Sequence, residues 1–217
     1  MAKTFTKIVK EITICAKEGG IDPKTNSKLR ALIQNAKSAN MPKENINRAL
    51  KKADDSNLVS FKKILFEGYA PHGIALLIEA ATDNNNRTVA NIRSYFNKCG
   101  GSLGISGSVE YMFDHKCNFK FNPEGLDLDE LELELIDCGI DELFKIGDEI
   151  YIYAPFDKFG IIQQNLENKH ISIISSDFER IPINTLELNE LKRIEVDKLI
   201  ELIEEDNDVL NVFTNLK

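Results

Sequence analysis

Apolar positions in the opening segment recur with helical spacing. Phe5, Ile8, Val9, Ile12, Cys15 and Ala16 follow the i, i+3, i+4, i+7 rhythm of one buried stripe. Gly19-Gly20 stops that helix and Asp22-Pro23 makes a turn. A second helix is predicted from about Ser27 to Ala39, burying Leu29, Leu32, Ile33 and Ala36. Met41-Pro42 interrupts the pattern, and proline suits the first turn of a third helix that carries Ile46, Ala49, Leu50 and Ala53 inward. None of the three can hide its apolar face alone, so they imply a small bundle.

Beyond about residue 58 the pattern becomes strand-like. Lys63-Ile-Leu-Phe-Glu67 and Gly73-Ile-Ala-Leu-Leu-Ile-Glu79 flank a turn at Gly68–Gly73. A helix is predicted from about Arg87 to Lys98, capped by Asn85 or Asn86. The glycine-rich stretch 100–107 follows, then strands at Ser108–Phe113 and Cys117–Phe121 that complete this part. After Pro123-Glu-Gly125 the order reads αββαβ. It comprises an acidic helix at Asp127–Cys138, strands at Glu142–Lys145 and Glu149–Ala154, a helix at about Phe156–Asn168 and a strand at His170–Arg180. Leu131–Leu135 also alternates as a strand would, but Leu128, Leu131 and Leu135 with Gly139 behind them favour helix. A last helix, about Asn189–Glu205, and a strand, Val209–Thr214, have no partners of their own and are read as returning to the middle unit. The expectation is an α+β chain of three domains: a basic helical domain, 1–57; a discontinuous α+β domain, 58–122 plus 183–217; and an inserted acidic α+β domain, 123–182. The last two are expected to be α/β sandwiches of ferredoxin-like form, helices on one face of an antiparallel sheet.

Charge changes the picture. The 217 residues sum to −8, which alone argues against nucleic acid, but residues 1–63 carry 14 Lys+Arg against 6 Asp+Glu. The remainder carries 13 against 29, so the two parts face different partners. The opening segment has no apolar h-region of a signal peptide, and no apolar run approaches a membrane span. Four scattered cysteines without a Cys-x-x-Cys pair read as reduced thiols, which together point to a cytoplasmic protein without membrane contact.

The candidate chemistry is phosphate contact. Lys3, Lys7, Lys10 and Lys17 lie opposite the apolar stripe of the first helix; Lys28, Arg30 and Lys37 on the second and Lys43, Arg48, Lys51 and Lys52 on the third extend the patch. Lysine is a point charge suited to phosphate, and such contacts position a protein without reading sequence. The plainer reading is that surface helices carry lysine for propensity and solubility. Arg87, with Asn91, Ser94 and Lys98 on one helix face, is a weaker extension. No aromatic residue interleaves with these lysines, so base stacking there is not supported. The glycine run is no phosphate loop, because it follows a helix, leads into a strand and lacks Gly-Lys-Ser/Thr. Asp114-His115-Lys116-Cys117 is too small a set of ligands for a metal, and no nucleophile elbow or acid–base pair stands out. The reading is therefore noncatalytic, with no cofactor and no small-molecule substrate.

Several stretches together carry a resemblance. They are Phe5–Thr13, Ala16-Lys-Glu-Gly-Gly20, Asn26-Ser-Lys-Leu-Arg30, Ala39–Asn45, Phe66-Glu-Gly-Tyr-Ala-Pro-His-Gly73, Thr82-Asp-Asn-Asn-Asn-Arg-Thr-Val-Ala90, Gly100–Val109 and Glu205-Asp-Asn-Asp-Val209. Over essentially its whole length the chain resembles the YebC/PmpR family of probable transcriptional regulators, and their mitochondrial relative, the translational activator of cytochrome oxidase subunit I. Members begin with a further basic, tryptophan-bearing segment, whereas this chain has no tryptophan. The resemblance implies a three-domain α/β architecture without catalytic activity, and a target that is either DNA or ribosomal RNA. The first makes a transcriptional regulator, the second a ribosome-associated translation factor. A scaffold that binds other proteins through its acidic domains, and no nucleic acid, is the remaining alternative.

Overall fold

The computed structural model describes residues 2–54, 61–123 and 125–217, with side chains from Thr4 onward. Helices α1 (Ala2–Gly19), α2 (Ser27–Ser38) and α3 (Lys43–Asp54) come first. There follow β1 (Lys62–Tyr69), β2 (Ala75–Thr82), α4 (Asn85–Lys98), β3 (Ser102–Leu103) and β4 (Phe113–Phe121). Then come α5 (Leu128–Asp137), β5 (Glu142–Ile146), β6 (Glu149–Pro155), α6 (Phe159–Asn168), β7 (Ile173–Pro182), α7 (Glu190–Glu204) and β8 (Val209–Thr214). The protein thus mixes helix and sheet, with a helical N-terminal part followed by α/β domains. By compactness it divides into two units. The first holds Met1–Ile14, Ser56–Asp114 and Arg180–Lys217; the second holds Cys15–Asp55 and His115–Glu179.

The first unit is built on a sheet of order β3-β1-β2-β8. Central β2 is apolar on both faces because side chains alternate and both sides are covered. Leu76 and Ile78 meet Ile92 and Phe96 of α4 and Val196, Leu199 and Ile203 of α7. Ala75 and Leu77 meet Val109 and Phe113 on the other side. The returning α7 and β8 complete this sheet, as their unpartnered sequence pattern requires.

One carboxylate organises the glycine-rich stretch. Glu67 on β1 is 3% exposed and accepts hydrogen bonds from the backbone N–H groups of Gly107 (2.6 Å), Val109 (2.7 Å) and Glu110 (2.8 Å). Burial acts to raise its pKa, and the amides, Val109 foremost, outweigh burial and lower it. These amides turn toward Glu67 and not toward a neighbouring strand, so the strand expected at Ser108–Phe113 is a 3₁₀ turn at Glu110–Met112, and β4 starts at Phe113. Gly68 permits the same close packing, since a Cβ there would lie 2.7 Å from the Phe96 ring.

The second unit has a sheet of order β5-β6-β4-β7, with α5 and α6 on one face. Numbered within the unit, the strands run 2-3-1-4 in a β-α-β-β-α-β succession. Cys117, Phe119 and Phe121 alternate into a core with Leu131, Leu135, Ile150, Ile152, Phe159, Ile162 and Leu166. This places Cys117–Phe121 beside β6, in a different sheet from β1 and β2, with which the sequence pattern had grouped it. Leu131–Leu135 is helical: Asp127 caps it through the N–H groups of Asp129 and Glu130, and Leu131 and Leu135 are buried. Ala31 of α2 joins the same core. Gln34, Asn35 and Ser38 donate from α2 to the backbone carbonyls of Ile173, Ser176 and Ile174.

Candidate nucleic-acid interface

The expected basic residues divide sharply by what surrounds them. On α3, Ile46, Ala49 and Ala53 are buried. At 100° per residue this sets Arg48, Lys51 and Lys52 on the opposite face, with Lys43 beside them at the first turn. All four are exposed and form no salt bridge among the described residues. Lys17 at the end of α1 and Lys37 at the end of α2 are likewise exposed and unpaired among the described residues. Both also favour their helices, where cations meet the negative end of the dipole.

The other positions have internal partners. Arg30 bonds Glu167 at 2.7 Å and the Pro23 carbonyl at 2.7 Å, tying α2 to α6. The Lys28 ammonium lies 4.8 Å from the centroid of the Phe178 ring. Lys7 donates to the Leu210 carbonyl at 3.0 Å. The Lys3 side chain lies outside the described residues. Lys10, expected on the open face of α1, is 7% exposed and donates to the Ala81 and Asn207 carbonyls and to Asp208 (2.9 Å). Thr13 and Ile14, one turn further along the same side of α1, are buried as well, so the side that the apolar stripe leaves open is covered here.

Arg87 belongs to the same cluster. It reaches Asp208 at 2.6 Å and Asp83 at 2.9 Å. The second oxygen of Asp208 also accepts from Thr88 (2.9 Å) and Thr82 (3.2 Å). Burial works to raise the Asp208 pKa, but hydrogen bonds from Arg87, Lys10 and Thr88 prevail and hold it at about 2. Beside it, Asp206 accepts from Asn91 and Tyr95, both at 3.1 Å. The motif Thr82–Ala90 and the motif Glu205–Val209 are therefore two halves of one lock. The pattern of either alone gives no sign of the other. In the second unit, Asn26 caps α2 through Leu29 N–H and donates to the Cys15 and Gly20 carbonyls, which accounts for the Asn26-Ser-Lys-Leu-Arg30 motif.

No metal site competes for attention: among the described residues, no three His, Cys, Asp or Glu side chains are placed to hold an ion. His115 stacks on Phe156 at 4.3 Å between ring centroids, and burial pushes the Cys117 thiol up to about 12, which makes it inert. No described helix is long and apolar enough to cross a membrane.

Residues 1–56 match the TACO1/YebC protein N-terminal domain, and residues 61–216 match the TACO1/YebC second and third domain. The chain belongs to the TACO1/YebC family. A protein of Flavobacterium johnsoniae named "Probable transcriptional regulatory protein" is 61% identical over all of this chain and 92% of its own length. A Porphyromonas gingivalis protein of the same name is 54% identical, over all of this chain and 90% of its own. The crystal structure of a conserved hypothetical protein from Aquifex aeolicus superposes with a TM-score of 0.84 at 35% identity, covering 100% of this chain and 90% of that one. Family membership thus rests on the whole chain, while the motifs traced above each act within one unit, the Asp208 cluster in the first and the Asn26 cap in the second.

Proposed function

We propose that this TACO1/YebC protein is a noncatalytic regulator of gene expression that contacts nucleic-acid phosphates through the outer face of α3. The observation that carries the reading is the set of four exposed cations, Lys43, Arg48, Lys51 and Lys52, on one short helix, none in a salt bridge among the described residues. Lys17 and Lys37 add exposed charge on α1 and α2, whereas Lys28 and Arg30 are already engaged with Phe178 and Glu167. Lys10 and Arg87 serve the Asp208 lock and contribute shape more than contact. The relatives' names favour a transcriptional role on duplex DNA. Three of the four cations on the face are lysines, point charges that position a protein on phosphates, which fits backbone contact of low sequence selectivity. The protein is placed in the cytoplasm, and its three-part division is kept with one change: β4 is counted with the inserted acidic domain, whose sheet it joins.

The test compares the intact protein with a Lys43→Gln/Arg48→Gln/Lys51→Gln/Lys52→Gln variant for binding of a 20-base-pair DNA duplex and of a folded ribosomal RNA fragment. Loss of duplex binding by the variant supports the reading. Retained binding removes α3 as the interface, and binding of the RNA fragment alone makes the protein a translation factor.

A further inference from the structure

Within the second unit, and among the described residues, α5 and α6 cover only the face of the sheet that carries the apolar core. Side chains on the other face follow from the register: Lys120 stands opposite Tyr151, which stands opposite Phe144; Asn118 stands opposite Tyr153, which stands opposite Glu142. The three rings form a parallel row. Phe144 lies 5.8 Å from Tyr151 at 8° and 5.9 Å from Tyr153 at 7°, and all three are half-buried.

Each tyrosine has a carboxylate beside it. Glu149 accepts from the Tyr151 hydroxyl at 3.1 Å. Glu179 accepts from the Tyr153 hydroxyl at 3.3 Å and from Asn118. Exposed Glu142 lies opposite Tyr153 and two residues before Phe144. The chain itself shows what such a pairing holds: the Lys120 ammonium lies 2.7 Å from Glu149 and 5.7 Å from the centroid of Tyr151. A π face next to a carboxylate attracts a cation twice, through the ring quadrupole and through a charge-assisted hydrogen bond. The pairing around Tyr151 is filled by Lys120. The one around Tyr153 holds no cation among the described residues.

We infer that this open sheet face docks an extended protein segment through an arginine or lysine seated against Tyr153 and Glu142, which stand opposite each other on β6 and β5. Charge selects the occupant. Residues 115–179 carry 15 Asp+Glu against 5 Lys+Arg, and the face's own Lys116 and Lys120 are already paired with Asp141 and Glu149. A nucleic-acid strand laid on these rings would set its phosphates against Glu142 and Glu179, whereas a basic segment meets them as partners. Arginine is the better guest, because its planar guanidinium stacks on a ring while bonding a carboxylate. The inference is independent of the α3 face and places a protein partner on a different surface of the molecule.

The experiment titrates the full-length protein with a fluorescein-labelled decapeptide alternating Arg and Ser, with the same peptide carrying Gln for Arg, and with a ten-nucleotide single-stranded RNA. Tyr153→Leu removes a π face while keeping apolar area. Glu142→Gln removes an exposed charge that touches no core, so one variant tests the face even where the other perturbs the sheet. The expected result is binding of the Arg peptide alone, weakened roughly 3- to 30-fold by either substitution and unchanged by the α3 variant or by Glu130→Gln on α5. Equal weakening by Glu130→Gln would show attraction to acidity in general and overturn the inference. So would absence of peptide binding, or RNA binding that Tyr153→Leu abolishes, which would make the rings a base-stacking platform.

Discussion

Lys10 and Asp208 show how far a single residue's role departs from its type. Lys10 carries a formal charge on a basic helix, yet its ammonium has three oxygen partners inside the first unit. Removing Asp208 leaves that charge buried without its counter-ion, and breaking such a pair costs about 3–5 kcal/mol. Asp208→Asn is therefore expected to lower the urea midpoint steeply, with little change in slope. A loss under about 1 kcal/mol would contradict the role given to the lock. The same carboxylate and Glu67 set the acid limit of the unit. Both have folded pKa values below their ordinary ones, Asp208 at about 2. Their stabilisation is complete above the unfolded carboxylate range and is lost as pH falls through the folded values. Thermal melts should show midpoints steady near neutrality and falling between about pH 4 and pH 2. In Asp208→Asn that fall should be shallower.

At the scale of elements, α2 depends on one capping side chain. Asn26 accepts from Leu29 N–H and donates to two carbonyls, Cys15 at 3.1 Å and Gly20 at 2.9 Å. Asn26→Ala is expected to cost about 2–3 kcal/mol, the cap together with two carbonyls left unsatisfied, read by chemical denaturation. The outer face of α3 is the opposite case. Neutralising its four cations should alter stability by no more than about 0.5 kcal/mol, since among the described residues they are exposed and form no salt bridge. Periodicity made most of these elements legible. The stripes of α1, α2 and α3 and the strand at Val209–Thr214 are plain in the sequence, because burial on one side leaves a repeating pattern. What periodicity cannot show is partnership across the chain. The turn at Glu110–Met112 depends on a carboxylate some forty residues away, and β4 reads equally well beside β1 or β6 until the sheet is closed. The ring row was hidden for the same reason: Phe144, Tyr151 and Tyr153 belong to an acidic stretch and align only when β5 and β6 pair.

The whole molecule separates its charges along the chain. It is −8 overall, yet exposed cations without a salt bridge among the described residues gather on the helical N-terminal part while the inserted α/β part is strongly acidic. Long-range repulsion from the acidic part is screened beyond about 8–10 Å at physiological salt, so it does not bar the proposed phosphate contact at a local basic face. The family resemblance in the sequence identified the family and the mixed helix-and-sheet architecture. It did not indicate which lysines are available, because that depends on internal partners such as Asp208, Glu167 and Phe178. The central claim is that the α3 face is where phosphates are met, and the salt dependence of duplex DNA binding tests it most directly. Each phosphate neutralised contributes roughly 0.9 to the slope of log affinity against log salt. The Lys43→Gln/Arg48→Gln/Lys51→Gln/Lys52→Gln variant should therefore lose about 3 from that slope, together with most of its affinity at low salt. A variant whose slope and affinity match those of the unaltered protein would contradict the account.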